Sequence, residues 1–214
     1  MGYVIGIDLG TSAVKALLVD RSGSVCGEAS RPYPLLQERT GYSEQDPEQW
    51  VSATIEALRE LVRNSGALPE QVEGISFSGQ MHGLVLLDDN GRTLRNAILW
   101  NDTRTSAQCR QIEAALGERL LATAKNRALE GFTLPKLLWV KQHEPELYSR
   151  AKTFLLPKDY LRFRLTGQIA SEYSDAAGTL LLDVAGKNWS AEIASAFGID
   201  LAICPPLVES HAKA

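Results

Sequence analysis

Asp8 closes the apolar run Ile5-Gly6-Ile7 and is followed almost at once by a small polar turn, Gly10-Thr11-Ser12. A carboxylate at the end of an apolar strand is expensive to bury unless it meets a cation or hydrogen-bond donors. The turn behind it can aim backbone N–H groups and two hydroxyls at one point, and such a concave donor set suits phosphate oxygens. In that arrangement Asp8 faces Mg2+, directly or through water, because Mg2+ takes oxygen ligands and keeps much of its hydration. Lys15 either adds positive charge there or sits on the solvent face of the next strand. The plain alternative is a hairpin whose aspartate caps its own turn. This is not a nucleotide P-loop, which needs Gly-Lys-Ser/Thr opening a helix.

Two further constellations could do chemistry. Ser76-Phe77-Ser78 runs into Gly79-Gln80-Met81-His82-Gly83, so that Gln80, Met81 and His82 stand at a strand end between glycines. Strand ends of α/β proteins are where ligands usually sit. Gln80 offers donor and acceptor, and His82 can do either near neutral pH, which suits a polyhydroxylated substrate. A lone histidine also reads as a satisfied structural residue. Ile98-Leu99-Trp100-Asn101-Asp102 sets an indole beside an amide and a carboxylate. An apolar wall with directional hydrogen bonds is how sugars are bound, although a core tryptophan with a capping Asn-Asp turn would look the same.

The elements that must position these residues follow from periodicity and punctuation. Strands are predicted over 3–9, 14–19 and 24–29, joined by small-residue turns into a meander. Asp46 is placed to cap a helix, with Pro47 first and Gln49 completing a capping box. Trp50, Thr54, Leu58, Leu61 and Val62 form its apolar face and Gly66 ends it. A strand over 72–77 precedes a hairpin with arms at 84–87 and from Thr93, turning through Asp88-Asp89-Asn90-Gly91. A short strand end at 98–100 leads to a helix over 105–116. Helices are then predicted over 135–142, 145–151 and 159–165, with a strand at 153–156 and a last helix capped by Ser190 and ended by Gly198. The pattern is an α/β domain with a mixed sheet, without repeats or flexible linkers.

Composition narrows the function. The chain has 214 residues, 44% of them hydrophobic and 22% charged, as in soluble globular proteins. Its net charge of −4 argues against a nucleic-acid binder but leaves room for a small anionic ligand. Cys26, Cys109 and Cys204 are odd in number and widely spaced, which implies reduced thiols rather than a disulfide framework. No basic leader and no apolar run near the roughly 20 residues of a membrane span is present. A cytoplasmic protein with neither membrane nor nucleic-acid partners is expected.

In order and spacing these segments resemble the FGGY carbohydrate kinases, and within them the members that act on D-xylulose. Ile5-Gly6-Ile7-Asp8-Leu9-Gly10-Thr11-Ser12 is similar to the phosphate loop of the sugar kinase, hexokinase, Hsp70 and actin superfamily. Tyr42-Ser43-Glu44-Gln45-Asp46-Pro47 resembles the family's helix entry, and Gly131 through Val140, running on to His143, its first signature segment. Leu156-Pro157-Lys158-Asp159-Tyr160-Leu161 and Ser174-Asp175-Ala176-Ala177-Gly178-Thr179 resemble further landmarks.

The resemblance implies a ribonuclease-H-like α/β fold, with residues 1–214 forming the amino-terminal, sugar-binding lobe. It implies ATP and Mg2+ as cofactors. Asp8, Gly10, Thr11, Ser12 and Lys15 would face the phosphates, with Asp8 meeting the metal through water. Gln80, Met81, His82, Trp100, Asn101 and Asp102 would contact the sugar. Glycerol kinases carry an Arg-Glu pair where Met81 and His82 stand, so the resemblance favours a ketopentose over glycerol. The family's catalytic base, in a Gly-Asp-x-x-Ala type of segment, and its nucleotide-binding lobe are expected beyond Ala214. The chain alone is then expected to lack useful activity, and an apolar face left open could be covered in a homodimer. Two other classes fit less well. One is a non-catalytic sugar-binding or regulatory relative, or a kinase for another ketose or polyol. The other is a nuclease, which needs clustered acidic residues for two metals, whereas Asp8 is the one strand-end carboxylate expected in the first sheet.

Overall fold

Alternation of side chains across a strand gives two unlike faces. Ile5, Ile7, Leu9, Val14, Ala16 and Leu18 are buried, whereas Val4, Asp8 and Lys15 point outward and are exposed. In the computed structural model, which describes residues 2–213, these stretches are β1 (Tyr3–Leu9) and β2 (Ala13–Asp20). β3 (Val25–Pro32) continues the expected antiparallel meander. After α1 (Pro47–Ser65), β4 (Val72–Gly79) returns parallel to β1, so the sheet is mixed, in the order β3-β2-β1-β4.

α1 covers the inner face of β2 and β3, burying Trp50, Val51, Ala53, Thr54, Ala57 and Leu61. The buried stripe is turned toward the small residues Ala53 and Ala57, and the expected Leu58 and Val62 lie half-buried at its edge. At its start the Asp46 carboxylate accepts from the Glu48 N–H at 2.9 Å. The Gln49 N–H bonds instead to the Asp46 carbonyl at 3.1 Å, so a one-sided cap stands where a capping box was expected. Gly66 ends the helix at φ 69°, a left-handed position that disfavours any side chain with a Cβ. Chain contacts group the segments up to Leu35 and Asp46–Gln80 into this first unit.

The second unit takes Leu36–Gln45 and the chain from Met81 onward. Three short buried strands lie in it: β5 (Val85–Leu87), β6 (Ala97–Ile98) and β7 (Thr153–Leu155). β5 pairs antiparallel with β7, and β6 with the two residues Glu44–Gln45. The expected hairpin after β5 closes its turn, with the Asp88 N–H on the Arg92 carbonyl at 2.9 Å, but its return arm makes a single bridge, Leu87 to Thr93. All of β5 is buried, and Thr153-Phe154-Leu155 offers it an apolar neighbour that the polar run Arg92 to Asn96 does not.

Helices α2 (Ser106–Leu116), α3 (Glu118–Ala124), α4 (Thr133–His143), α5 (Pro145–Arg150), α6 (Pro157–Thr166), α7 (Tyr173–Ala177) and α8 (Ala191–Ala196) also lie in this unit. Its core is built from Leu84, Leu86, Ile98, Ile112, Leu120, Leu134, Leu137, Leu138 and Phe154. Among the described residues the three cysteines are free, as expected, and no helix is long and apolar enough to cross a membrane.

Candidate functional site

In the first unit, the feared cost of burying Asp8 does not arise. Strand alternation puts its side chain on the face away from α1, exposed, where it accepts no hydrogen bond from the described residues. The turn after it is fixed from both sides. The Gly10 N–H donates to the Ala13 carbonyl at 3.1 Å, and the Tyr33 hydroxyl donates to the Gly10 carbonyl. Burial, with the Asp8 charge second, pushes the Tyr33 phenol up, so it remains a donor. Gly10's amide is therefore spent on closing the hairpin, while the Ser12 side chain stays exposed. Lys15 stands opposite Asp8 across the β1–β2 pair but meets Glu28 at 3.2 Å, with both side chains more than half exposed. An exposed pair of this kind contributes at most about 1 kcal/mol, so its ammonium is easily redirected. Gln80 ends this unit, buried, with its N–H on the Leu9 carbonyl at 2.8 Å.

In the second unit the two sugar-type constellations come side by side. Leu84 and Ile98 exchange backbone hydrogen bonds at 2.9 and 3.2 Å, which aligns the chain after Met81 with the chain before Trp100. Met81, Trp100 and Asn101 are exposed. His82 is half-buried and sits at φ 64°, an uncommon conformation for a residue with a side chain. Its Nδ1 lies 2.9 Å from the Gly178 carbonyl. A carbonyl only accepts, so Nδ1 carries the proton and Nε2 keeps a lone pair for an outside hydroxyl. Burial lowers the imidazole pKa below its usual value, with the Lys136 charge as a smaller contribution, and this favours the neutral ring.

Asp102 departs from its expected role. It is completely buried, and its carboxylate accepts from the Ser43 N–H at 2.7 Å, the Arg104 N–H at 3.0 Å and the Arg104 guanidinium at 2.7 to 3.0 Å. Both oxygens are occupied, so Asp102 offers nothing to a sugar. It holds Arg104, which stacks 3.6 Å over the Tyr42 ring and pairs with Glu44 at 2.6 Å. Glu44 also receives Arg95, whose other branch reaches Glu144 at 2.6 Å. This network ties the 42–45 segment to the start of α2, with Asp102 as its structural joint.

The residues that hold His82 are not among those expected to contact ligand. Phe132 meets its ring edge-on at 4.7 Å, and the Thr133 hydroxyl donates to its carbonyl at 3.0 Å. Gly178 leaves room for the ring: a Cβ there would stand 2.4 Å from both Cε1 and Nδ1. The signal was present, since both stretches belong to the motifs singled out above. Among the described residues no group of three or more His, Cys, Asp or Glu side chains is placed to hold a metal. Asp8 fits Mg2+ only as a single open carboxylate facing a hydrated ion.

A β-meander closed by a parallel strand, with the tight Gly10-Thr11-Ser12 turn between its first two strands, defines a domain of the actin and hexokinase fold class. Solved sugar kinases share it: a "xyloylose kinase" from Brucella ovis matches 97% of this chain and 43% of its own, at 42% identity and a TM-score of 0.91. The model of the FGGY carbohydrate kinase amino-terminal domain matches residues 3–214, and the chain belongs to the FGGY family of carbohydrate kinases. It is 64% identical over 211 residues to the xylulose kinase of Bacillus subtilis and 54% identical over 210 residues to that of Lactococcus lactis. Those alignments cover 99% and 98% of this chain, which spans only 42% of either relative's length.

Proposed function

We propose that this chain is the amino-terminal, sugar-binding lobe of a kinase of the xylulokinase type, which transfers the γ-phosphoryl of ATP to the 5-hydroxyl of D-xylulose. The observation that carries the reading is the neutral, Nδ1-protonated His82 beside exposed Met81, in a chain 64% identical to a xylulose kinase. His82 Nε2 accepts a hydrogen bond from a sugar hydroxyl, the Asn101 amide adds donor and acceptor, and Met81 with Trp100 supplies apolar walls. Asp8, Thr11, Ser12 and Lys15 serve the phosphates, and Lys15 exchanges Glu28 for a phosphate oxygen. A magnesium ion met by Asp8 through water would supply neutralisation of phosphate charge. Asp102 is saturated, so the base that takes the sugar's proton is supplied by residues outside this set.

Titration calorimetry on the chain with D-xylulose and with glycerol tests the reading. D-xylulose is expected to bind and glycerol not, and His82→Ala to weaken D-xylulose about three- to tenfold, the worth of one neutral hydrogen bond. Preference for glycerol, or an unchanged affinity in His82→Ala, would overturn it.

A further inference from the structure

Lys136 lies on the first turn of α4, fully buried, where the helix dipole disfavours a cation. Burial lowers its pKa to about 7. Against that, its Nζ reaches three consecutive carbonyl oxygens, those of Glu130 at 2.8 Å, Gly131 at 2.5 Å and Phe132 at 2.9 Å. Three acceptors need three N–H groups, and a neutral amine has two, so this geometry is that of the ammonium. Asp102 and Glu130 also favour the charge, with Arg104 opposing it. A buried charge is retained only where such partners converge.

The segment it gathers is the one on which the sugar-type residues rest. Gly131 packs against the Trp100 carbonyl, 3.2 Å from where a Cβ would stand. Phe132 carries the edge-on contact with the His82 ring, and Thr133 bonds the His82 carbonyl. At the other end the Glu130 carboxylate accepts from the Ser106 hydroxyl at 2.7 Å, fastening the segment to α2. We propose that Lys136 is a positioning residue of the sugar site, its ammonium drawing the carbonyls of residues 130–132 together so that Phe132 and Gly131 set His82 and Trp100. The inference rests on the reading of those two residues as sugar contacts.

The test compares Lys136→Met and Lys136→Arg with the parent chain, well below each variant's melting temperature. D-xylulose affinity is read by calorimetry, and the His82 ring by its proton resonances, which feel the Phe132 ring current. Lys136→Met is expected to shift the His82 resonances and weaken D-xylulose about tenfold. Lys136→Arg keeps the charge, but its planar fork cannot meet three convergent oxygens, so an intermediate loss of a few-fold is expected. A role confined to stability would lower the melting temperature of the folded variants while affinity and ring shifts stayed at parent values, and that result overturns the proposal. If Lys136→Met does not fold, Lys136→Arg decides alone, with parent-like affinity and shifts as the overturning result. If the parent chain binds no D-xylulose, the sugar reading fails with the role assigned to Lys136, whereas parent-level binding by the variants sinks the Lys136 proposal alone.

Discussion

His82 shows how much of a candidate site is made by residues that carry no chemistry. Its tautomer is set by a glycine carbonyl, and its ring occupies the space that glycine leaves empty. Gly178 has an ordinary φ of −76°, so alanine suits its backbone and the main cost of substitution is the clash with the imidazole, with the Asp175 carbonyl, 3.3 Å from the added Cβ, a smaller one. Gly178→Ala is therefore expected to leave the fold intact, at a cost of about 1–3 kcal/mol for overpacking, while displacing the ring. D-xylulose affinity should fall at least as far as in His82→Ala. Parent affinity in Gly178→Ala, measured by calorimetry, would mean that the ring's seat does not matter for the sugar. The same scale explains the error over Asp102. Beside Trp100 and Asn101 it reads as a polar sugar ligand, but Arg104, two residues on, forms a fork that fills both carboxylate oxygens. Only the fold shows which polar side chain has been used up.

At the scale of elements, legibility followed locality. β1 to β3 and α1 were readable because alternation, a Gly-bounded end and an Asp-Pro start are written within a few residues of where they act. Asp46→Ala should accordingly cost about 1 kcal/mol of stability in chemical denaturation, the usual worth of an N-cap, and no loss would show that packing against the sheet alone holds the helix. What could not be read was set by distant partners. β5 takes β7, more than sixty residues away, as its main neighbour, because burial of both its faces outweighs the strong local turn at Asp88 to Gly91. α3 begins directly after Gly117, a residue that local rules take as a stop. α7 depends on Glu172, whose carboxylate accepts from the Ser174 and Asp175 N–H groups, a cap that Ser, Thr, Asp or Asn would have advertised more clearly.

For the molecule as a whole, the question is how much of a phosphoryl transfer these residues can perform. Such transfers depend almost entirely on positioning and charge neutralisation. The first unit offers a turn already closed on itself, one open carboxylate at Asp8 and one weakly engaged ammonium at Lys15. The second offers a neutral histidine and two exposed apolar side chains, with its buried carboxylate at Asp102 tied to Arg104. Neither holds a cluster of ligands for a bare metal among the described residues, and no described carboxylate of the sugar set is free to take a proton. Correct mutual placement of reactants is worth effective concentrations on the order of 10⁵ M or more, so partial holding gives little rate. Assayed as these 214 residues, the chain should bind D-xylulose weakly and release no measurable ADP from ATP in its presence. The Asp8→Asn variant supplies the control that separates this protein's turnover from a contaminant's. ADP release that requires D-xylulose and disappears in Asp8→Asn would show that the sheet, the turn and the histidine suffice for the reaction.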